Sequence, residues 1–269
     1  MPAESSDPGA REMATTRGMV SVAMATYNGA EFVTEQIASI LPQLAPGDEI
    51  VIVDDASTDD TLEVISRIDD PRIRLVTRDV NWGYVRTFEQ ALGLARGEYL
   101  FLCDQDDVWI PGRVDLMVAA LADHQVIASN LASLGGPNRI PGPFWIKDWR
   151  LWSRDSGHAI RNLLRLLAGV QCYWGCAMAV RRDALDYLLP FPRFLNETHD
   201  QWIGLCGNMA RSMGHMNSRT VWRRVHDSNL TPTQPRGVIP ALRSRVMLIR
   251  CLAVAWSRGL HLVGSRKQR

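Results

Sequence analysis

Residues 49–61 read EIVIVDDASTDDT, and this stretch decides the fold class. Four consecutive apolar residues lie between Glu49 and Asp54, which is typical of a strand buried on both faces. The Ser, Thr and Asp residues that follow are helix-capping types, and the apolar spacing after them predicts a helix over 60–68. A strand that leads through a polar turn into a helix is the repeating element of α/β proteins, so the stretch indicates that class.

The same pattern extends on both sides of this stretch. An apolar run at 19–27 predicts a strand, Asn28-Gly29 predicts a turn, and helical spacing follows at 32–41. The next predicted elements are a strand at 73–76, a helix at 85–95 and a strand at 99–103. We therefore predict a Rossmann-like, doubly wound mixed α/β sheet, with its regular part in the first half of the chain.

The regular pattern weakens beyond residue 113, where a Gly/Pro-rich loop and a tryptophan-rich stretch follow. The elements predicted there are helices at 156–168 and 198–213, a strand at 177–181 and a basic amphipathic helix at 239–258. This organisation predicts a flexible leader (1–18), one α/β domain (19–230) that divides near residue 112, and a helical C-terminal tail (231–269).

The composition excludes several classes of protein. Hydrophobic residues make up 46% of the 269 residues and charged residues 22%, which excludes global disorder, collagen and a coiled coil. The five cysteines are scattered, and the C-x3-C pair Cys172 and Cys176 has no second pair to complete a zinc site. The N-terminus lacks the apolar run of a secretory signal, so we expect cytoplasmic residence.

Charge is distributed unevenly along the chain. No Asp or Glu follows Asp227, so the tail carries +8 while residues 1–227 carry −7. Its apolar residues Val246, Met247, Ile249 and Leu252, set among arginines, suit contact with an anionic membrane, which would place the protein peripherally at the inner face of the plasma membrane. A helix packed on the body with solvated arginines fits the sequence equally well. No nucleic-acid partner is expected, because no recognition module accompanies the charge.

Acidic residues follow two of the predicted strands. Asp54, Asp55 and Ser57 come directly after the strand at 49–54, at the edge of an open α/β sheet where ligands bind. The two carboxylates could accept hydrogen bonds from a nucleobase or ribose. The alternative is that this segment forms a turn and caps the next helix.

A second acidic cluster lies in YLFLCDQDDVW (99–109), where Asp104, Asp106 and Asp107 follow a strand. Carboxylates this close together repel each other, so we expect Mg²⁺ or Mn²⁺ here, together with a phosphorylated substrate. The alternative is a solvated acidic loop.

Two further motifs carry candidate residues. Asp200 lies at the start of a predicted helix, where an ionised carboxylate could act as a general base, although ordinary helix N-terminal charge explains it too. In VWRRVHDSN (221–229), Arg224 could meet a diphosphate and His226 a metal, but a lone histidine is more often structural.

Taken together, the motifs resemble the family-two inverting glycosyltransferases, which have the GT-A fold and use nucleotide-sugar donors. The resemblance covers most of residues 19–230 and rests on seven motifs in order: ATYNG (25–29), DDASTDDT (54–61), NWGYVRTF (81–88), ARGEYLFLCDQDDVW (95–109), WGCAMAV (174–180), HDQW (199–202) and RVHDSN (224–229). The combination of DQDDVW, GC-x-M and HD-x-W is most similar to the rhamnosyltransferase-type branch, whose members extend cell-surface polysaccharides from dTDP-rhamnose.

The resemblance implies a role for each matching position. Residues 19–112 would form the nucleotide-sugar half and 113–230 the acceptor half, with a dTDP- or UDP-sugar as donor and a glycan or lipid-linked acceptor. The residues implied in nucleotide-sugar binding are Tyr27, Asn28, Asp54, Asp55, Ser57, Asn81, Gly83, Asp104 and Arg224. The residues implied in metal binding are Asp104, Asp106, Asp107 and His226. Asp200 would be the catalytic base that deprotonates the acceptor hydroxyl.

Two other functions remain alternatives at this point. The segment YLFLCDQDDVW also fits the motif of haloacid-dehalogenase-type phosphatases, with Asp104 as nucleophile and Asp106 as acid/base. Against that function, nearly 100 residues of regular α/β pattern precede the motif, and no clear Gly-Asp-x3-Asp acid pair follows it. The other alternative is a non-catalytic nucleotide-sugar-binding protein, which the complete set of candidate residues disfavours.

Overall fold

The computed structural model describes residues 17–136, 139–143, 146–226 and 237–260. Within these residues, eight strands form a single sheet. They are β1 (Val20–Thr26), β2 (Glu49–Asp54), β3 (Ile73–Thr77), β4 (Tyr99–Asp104), β5 (Val108–Trp109), β6 (Val126–Ser133), β7 (Met178–Arg181) and β8 (Met213–Arg223). Their order across the sheet is β3-β2-β1-β4-β7-β6-β8-β5.

The α-helices lie on both faces of this sheet. They are α1 (Val33–Ile40), α2 (Thr61–Ser66), α3 (Tyr84–Leu94), α4 (Arg113–Leu121), α5 (Ala159–Ala168), α6 (Leu185–Leu188), α7 (His199–Met209) and α8 (Val238–Ser257). None of the helices within the described ranges is long and apolar enough to cross a bilayer.

The first four strands in sequence are parallel neighbours. β1 pairs with β2 and with β4, and β2 pairs with β3. In this register Thr26 lies opposite Asp54, and Ala25 lies opposite Asp104. The carboxyl ends of the strands therefore meet at one edge of the sheet, as the sequence predicted.

The other half of the sheet is mixed. β7 runs antiparallel to both β4 and β6, whereas β8 is parallel to β6 and antiparallel to β5. Because β5 directly follows the second acidic cluster, its pairing with β8 brings residues 224–226 back to that cluster. The predicted mixed α/β sheet is confirmed.

Alternation along β2 shows how the core is divided. Val51 and Val53 pack on one face of the sheet, in a cluster with Phe88 and Trp202. Ile50 and Ile52 pack on the opposite face with helix α1 and helix α4. Because β2 is buried on both faces of the sheet, it needs apolar side chains on both sides. Each fully buried large side chain adds about 1.5–3 kcal/mol to the free energy of unfolding.

Three strands were not predicted by the sequence analysis, namely the two-residue strand β5, β6 and β8. β6 reads VIASNLAS, in which Asn130 breaks the apolar run. The buried Asn130 side chain donates to the carbonyl oxygens of Leu151 and Met216 and accepts from the Leu151 amide, so its polar atoms are satisfied inside the protein. β8 reads MGHMNSRTVWR and is too polar to be recognised as a buried strand.

The boundaries of other elements also differ from the prediction. The helix expected at 198–213 ends at Met209, and the one expected at 156–168 begins at Ala159. The C-terminal helix is present as α8. Of the predicted leader, residues 1–16 lie outside the described residues.

Candidate active site

The candidate site lies at the carboxyl edge of β2, β1 and β4. The loops that follow these three strands carry most of the predicted residues, and the segment after β8 reaches the same edge. Helix α7 contributes its first turn from the second half of the domain.

Asp54 is fully buried at the end of β2. Its Oδ1 accepts from the Ser57 amide at 2.8 Å, and its Oδ2 accepts from Ser57 Oγ at 2.6 Å and from Thr26 Oγ1 at 2.9 Å. Ser57 Oγ in turn accepts from the amide of Asn28, a residue held at φ +48°. Asp54 and Ser57 therefore form the turn that was the alternative for this segment. The same hydrogen bonds join the loops after β1 and β2.

Asp55 anchors the loop at 81–83. Its carboxylate accepts from Arg78 Nη1 at 2.8 Å, from the Trp82 amide at 2.9 Å and from the Gly83 amide at 2.8 Å. The Gly83 amide also donates to Asn81 Oδ1 at 3.0 Å, and the φ of +82° at this residue favours glycine. Arg78, which the sequence analysis did not single out, stacks under the exposed Trp82 ring at 4.6 Å. Asp55 thus shapes the loop with Asn81 and Gly83.

Gln105 ties the loop after β4 to the loop after β1. Its Nε2 donates to the Tyr27 carbonyl at 3.0 Å, and its Oε1 accepts from the Tyr27 amide at 2.8 Å. A Cβ at Gly29 would lie 2.2 Å from Gln105 Oε1, so a larger residue there would displace the Gln105 side chain from these hydrogen bonds. The Tyr27 side chain is left 46% exposed at the same edge.

Asp104 and Asp107 crowd together with a thiol. One ligand atom from each of Asp104, Asp107 and Cys176 lies within 4.8 Å of the others. Burial, followed by the charges of Asp107 and Asp106, raises the pKa of Asp104 well above its usual range. Burial and Asp106 raise the pKa of Asp107 to about 6. Cys176 was not predicted as a site residue, and nothing in its apolar surroundings in sequence indicates it.

Asp106 contacts the segment that follows β8. His226 Nε2 lies 2.8 Å from Asp106 Oδ2. The Arg224 amide donates to Asp107 Oδ1 at 3.1 Å, and Arg224 Nε donates to the Asp106 carbonyl at 3.1 Å. The Arg224 guanidinium also pairs with the Glu35 carboxylate and lies over the Phe32 ring, whose centroid is 4.5 Å from that of His226.

The first turn of α7 also lies near the acid cluster. Asp200 Oδ1 accepts from the Gln201 amide at 2.7 Å, and the charge of Asp200 contributes to raising the pKa of Asp104. His199 is buried between Phe88, stacked at 4.3 Å, and the edge of Tyr84. Burial lowers the pKa of His199 to about 3, so its ring is neutral.

The structure therefore brings the predicted residues together in two adjacent groups. The acidic group contains Asp104, Asp106, Asp107, Asp200, Arg224 and His226. The loop group contains Tyr27, Asn28, Asp54, Asp55, Ser57, Asn81 and Gly83.

The acidic group suits a divalent cation. It offers carboxylate oxygens, the donors that Mg²⁺ and Mn²⁺ prefer, and an imidazole beside them. Burial is the largest cause of the raised pKa values of Asp104 and Asp107, the neighbouring carboxylates add to it, and Arg223 partly offsets it. A bound cation would favour the ionised forms of both carboxylates.

The chain belongs to glycosyl transferase family 2, whose sequence model matches residues 21–189. It is 32% identical over 111 residues to the UDP-Glc:alpha-D-GlcNAc-diphosphoundecaprenol beta-1,3-glucosyltransferase WfaP of Escherichia coli, which is 41% of this chain and 44% of that protein. The chain spans less than half the length of the curated relatives it matches. Family membership argues against the phosphatase alternative.

Solved structures share the fold. S. aureus TarS residues 1–349, in complex with UDP-GlcNAc, superposes with a TM-score of 0.63 at 18% identity, covering 89% of this chain and 72% of that one. The mannosyltransferase PcManGT of Pyrobaculum calidifontis, in complex with GDP-Man and Mn²⁺, gives 0.58 at 20% identity, covering 91% and 75%. The GT-A fold expected from the motifs is confirmed.

Proposed function

We propose that this protein is an inverting, metal-dependent glycosyltransferase that moves a sugar from a nucleoside diphosphate sugar to a hydroxyl of a glycan or lipid-linked acceptor during cell-surface polysaccharide synthesis. The observation that carries the proposal is the meeting of the Asp104–Asp107 acids, His226 and Asp200 at the edge of the sheet. The family membership and the glucosyltransferase activity for which the Escherichia coli relative is named support it.

Asp106 and His226 are the residues we assign to the cation, with Asp104 and Asp107 beside them. Their 2.8 Å contact places a carboxylate and an imidazole side by side. When bound, Mg²⁺ or Mn²⁺ would supply charge stabilisation for the departing diphosphate. Mn²⁺ accompanies GDP-Man in the mannosyltransferase structure.

Arg224 is assigned to the diphosphate. Its guanidinium stands beside Asp106, and its ion pair is with Glu35, whose side chain is 60% exposed. An exposed ion pair contributes little free energy, so Arg224 can exchange Glu35 for a phosphate at small cost.

Asp200 is assigned as the general base. It lies in the first turn of the eleven-residue helix α7, where the helix dipole favours the ionised carboxylate. The base would take the proton of the acceptor hydroxyl as its oxygen attacks the anomeric carbon opposite the diphosphate. Inversion follows from this single displacement, without a covalent enzyme intermediate.

The loop group is assigned to the nucleoside. Tyr27 and Trp82 are exposed aromatic side chains there, and Asn81 and Gly83 stand on the loop that Asp55 holds. Asp54, Ser57 and Asn28 support this pocket through the bonds between the two loops. We propose dTDP-rhamnose as the donor, because the DQDDVW, GC-x-M and HD-x-W combination resembles the rhamnosyltransferase-type branch.

The test measures binding and transfer separately. Thermal stabilisation by dTDP, UDP and GDP sugars is measured with and without Mn²⁺ or Mg²⁺, since a ligand bound to the folded state raises its stability. We expect a metal-dependent shift, largest with dTDP-rhamnose. Larger shifts with UDP or GDP sugars would assign a different donor and leave the proposed glycosyl transfer unchanged.

Variants then locate the chemistry. Asp200→Asn should keep the metal-dependent shift and lose transfer of label by at least a hundredfold, as expected for removal of a general base. Asp115→Asn, at a 74% exposed side chain, is the matched control and should transfer normally. Unchanged transfer by Asp200→Asn would reject the base, and binding without transfer in the wild type would favour the non-catalytic alternative.

A further inference from the structure

Helix α8 has two apolar faces. One face packs against the body through buried residues, namely Ser244, Met247, Leu248, Cys251 and Ala255. The opposite face is exposed, and its large apolar side chains recur at intervals of three, four and seven residues with exposed fractions of 52–66%: Ile239, Leu242, Val246, Ile249 and Trp256. We call this set the outer face of α8.

The outer face differs from what the sequence indicated. Met247 and Leu252, expected among the membrane-facing residues, instead pack against the core. A helix that rests on the body with solvated arginines would present a polar outside. Five large apolar side chains at regular spacing on one exposed helix face are instead typical of an interaction surface.

Charge identifies the partner. Arg243 and Arg250 are exposed and directly follow Leu242 and Ile249 in sequence, and no Asp or Glu occurs anywhere after Asp227. Two copies of α8 packed together would therefore bring arginine near arginine with no acid to compensate. An anionic lipid bilayer offers an apolar interior for the apolar side chains of the outer face and negative charge for its arginines.

We propose that the outer face of α8 docks onto an anionic membrane, with the helix lying in the plane of the headgroups. Ile239, Leu242, Val246, Ile249 and Trp256 enter the apolar boundary, and Arg243 and Arg250 contact anionic headgroups. This goes beyond the proposed function, because docking requires neither donor nor transfer.

Docking would also fix where the candidate site faces. Ser244 Oγ, on the buried face of α8, donates to Glu197 Oε1 at 2.7 Å. Glu197 lies two residues before α7 begins and three before Asp200, so the segment that leads into α7 is hydrogen-bonded to the docked helix. The acceptor side of the site is thereby held next to the bilayer.

The experiment is co-sedimentation of the full chain with vesicles of phosphatidylcholine alone and of phosphatidylcholine with phosphatidylglycerol. We expect binding to the anionic vesicles. Ile249→Glu should weaken it at least tenfold, whereas Leu116→Glu, at an exposed position on α4, should leave it unchanged. Arg243→Gln with Arg250→Gln should weaken it about fivefold per arginine, since each basic side chain near such a surface is worth about 1 kcal/mol.

The controls keep the proposal falsifiable. Ile249→Glu changes an exposed residue, so its melting temperature should match the wild type; Leu242→Glu is the second variant if it does not. Absence of binding, or equal binding to both vesicle types, would overturn the proposal. A lipid-free dimer in sedimentation that Ile249→Glu dissociates would assign the outer face to a second copy instead.

Discussion

The Nε2 atom of His199 fills the space that a side chain at Gly175 would need. A Cβ added to Gly175 would lie 2.6 Å from this nitrogen. Gly175 precedes Cys176 beside the acid cluster, and His199 precedes Asp200 on α7. This contact therefore sets the separation of two parts of the candidate site.

Gly175→Ala should destabilise the protein by about 1–3 kcal/mol, because the ring of His199 is enclosed and cannot move away freely. The change is measured by thermal or urea unfolding. Gly93→Ala is the matched control, since nothing lies within 4 Å of a Cβ there. That variant should be neutral or stabilised by about 0.5–1 kcal/mol, because alanine favours the interior of α3. Equal effects of the two substitutions would contradict the steric argument.

His199 should make the protein sensitive to acid. Its pKa is lowered by burial to about 3, whereas an unfolded histidine has a pKa near 6.5. Between these values the unfolded state binds a proton that the folded state does not, so the free energy of unfolding falls as pH decreases below about 6.5, by about 1.4 kcal/mol per pH unit. His215, whose pKa burial lowers to about 4, acts with the same sign.

His199→Leu should therefore lose less stability than the wild type between pH 7 and pH 5. Urea unfolding at the two pH values measures the difference, which should reach about 2 kcal/mol. His158→Gln, at an exposed histidine, is the control and should follow the wild type. If His199→Leu kept the pH dependence of the wild type, the buried ring of His199 would not be the cause of the acid sensitivity.

Asp107→Asn should stabilise the metal-free protein at pH 7. Burial and Asp106 raise the pKa of Asp107 to about 6, so the folded state holds this proton more tightly than the unfolded state. The free energy of unfolding therefore falls as pH rises from about 4 to 6, and asparagine removes that loss, a gain of about 1–3 kcal/mol at pH 7.

The gain at Asp107→Asn should vanish near pH 4 and reverse when Mn²⁺ is added, because the wild-type carboxylate then has a cation to neutralise it. Differential scanning calorimetry with and without Mn²⁺ provides the comparison. Asp115→Asn should show neither effect. Lower stability of Asp107→Asn at pH 7 without metal would indicate that its hydrogen bond outweighs the charge repulsion.

Arg78→Ala should cost about 3–5 kcal/mol, since it leaves the Asp55 carboxylate buried without its cation. The side chains of this pair are 7% and 3% exposed. Arg67→Ala breaks a helix pair with Glu63 whose side chains are 71% and 58% exposed, and should cost under about 1 kcal/mol. A double-mutant cycle with Asp55→Asn isolates the pair. Similar costs for Arg78→Ala and Arg67→Ala would show that the 81–83 loop is held by other contacts.

The sequence predicted β1 to β4 and the sheet edge at which the candidate residues meet, because those signals are local. Buried parallel strands are apolar throughout, caps are polar, and parallel strands end at one edge. β6 and β8 were not predicted, because their polar residues form hydrogen bonds with partners far away in sequence, as Asn130 does with Leu151 and Met216.

The role of a site residue was harder to predict than its place. Asp54 and Asp55 are adjacent and identical in type, yet one holds a turn and the other holds Arg78 and the 81–83 loop. The choice depends on Arg78, which lies 23 positions after Asp55. Cys176 reaches the acids through the antiparallel placement of β7, and no local pattern signals that position.

The contact between Asp106 and His226 spans 120 positions of the chain. During synthesis the acids leave the ribosome long before β8 and the histidine behind it, and domains fold as the chain emerges. A chain interrupted before residue 226 would carry the carboxylates without the imidazole. The proposed cation site is therefore among the last parts of the described domain to be completed. An unfinished chain would lack the full set of side chains that we assign to the ion.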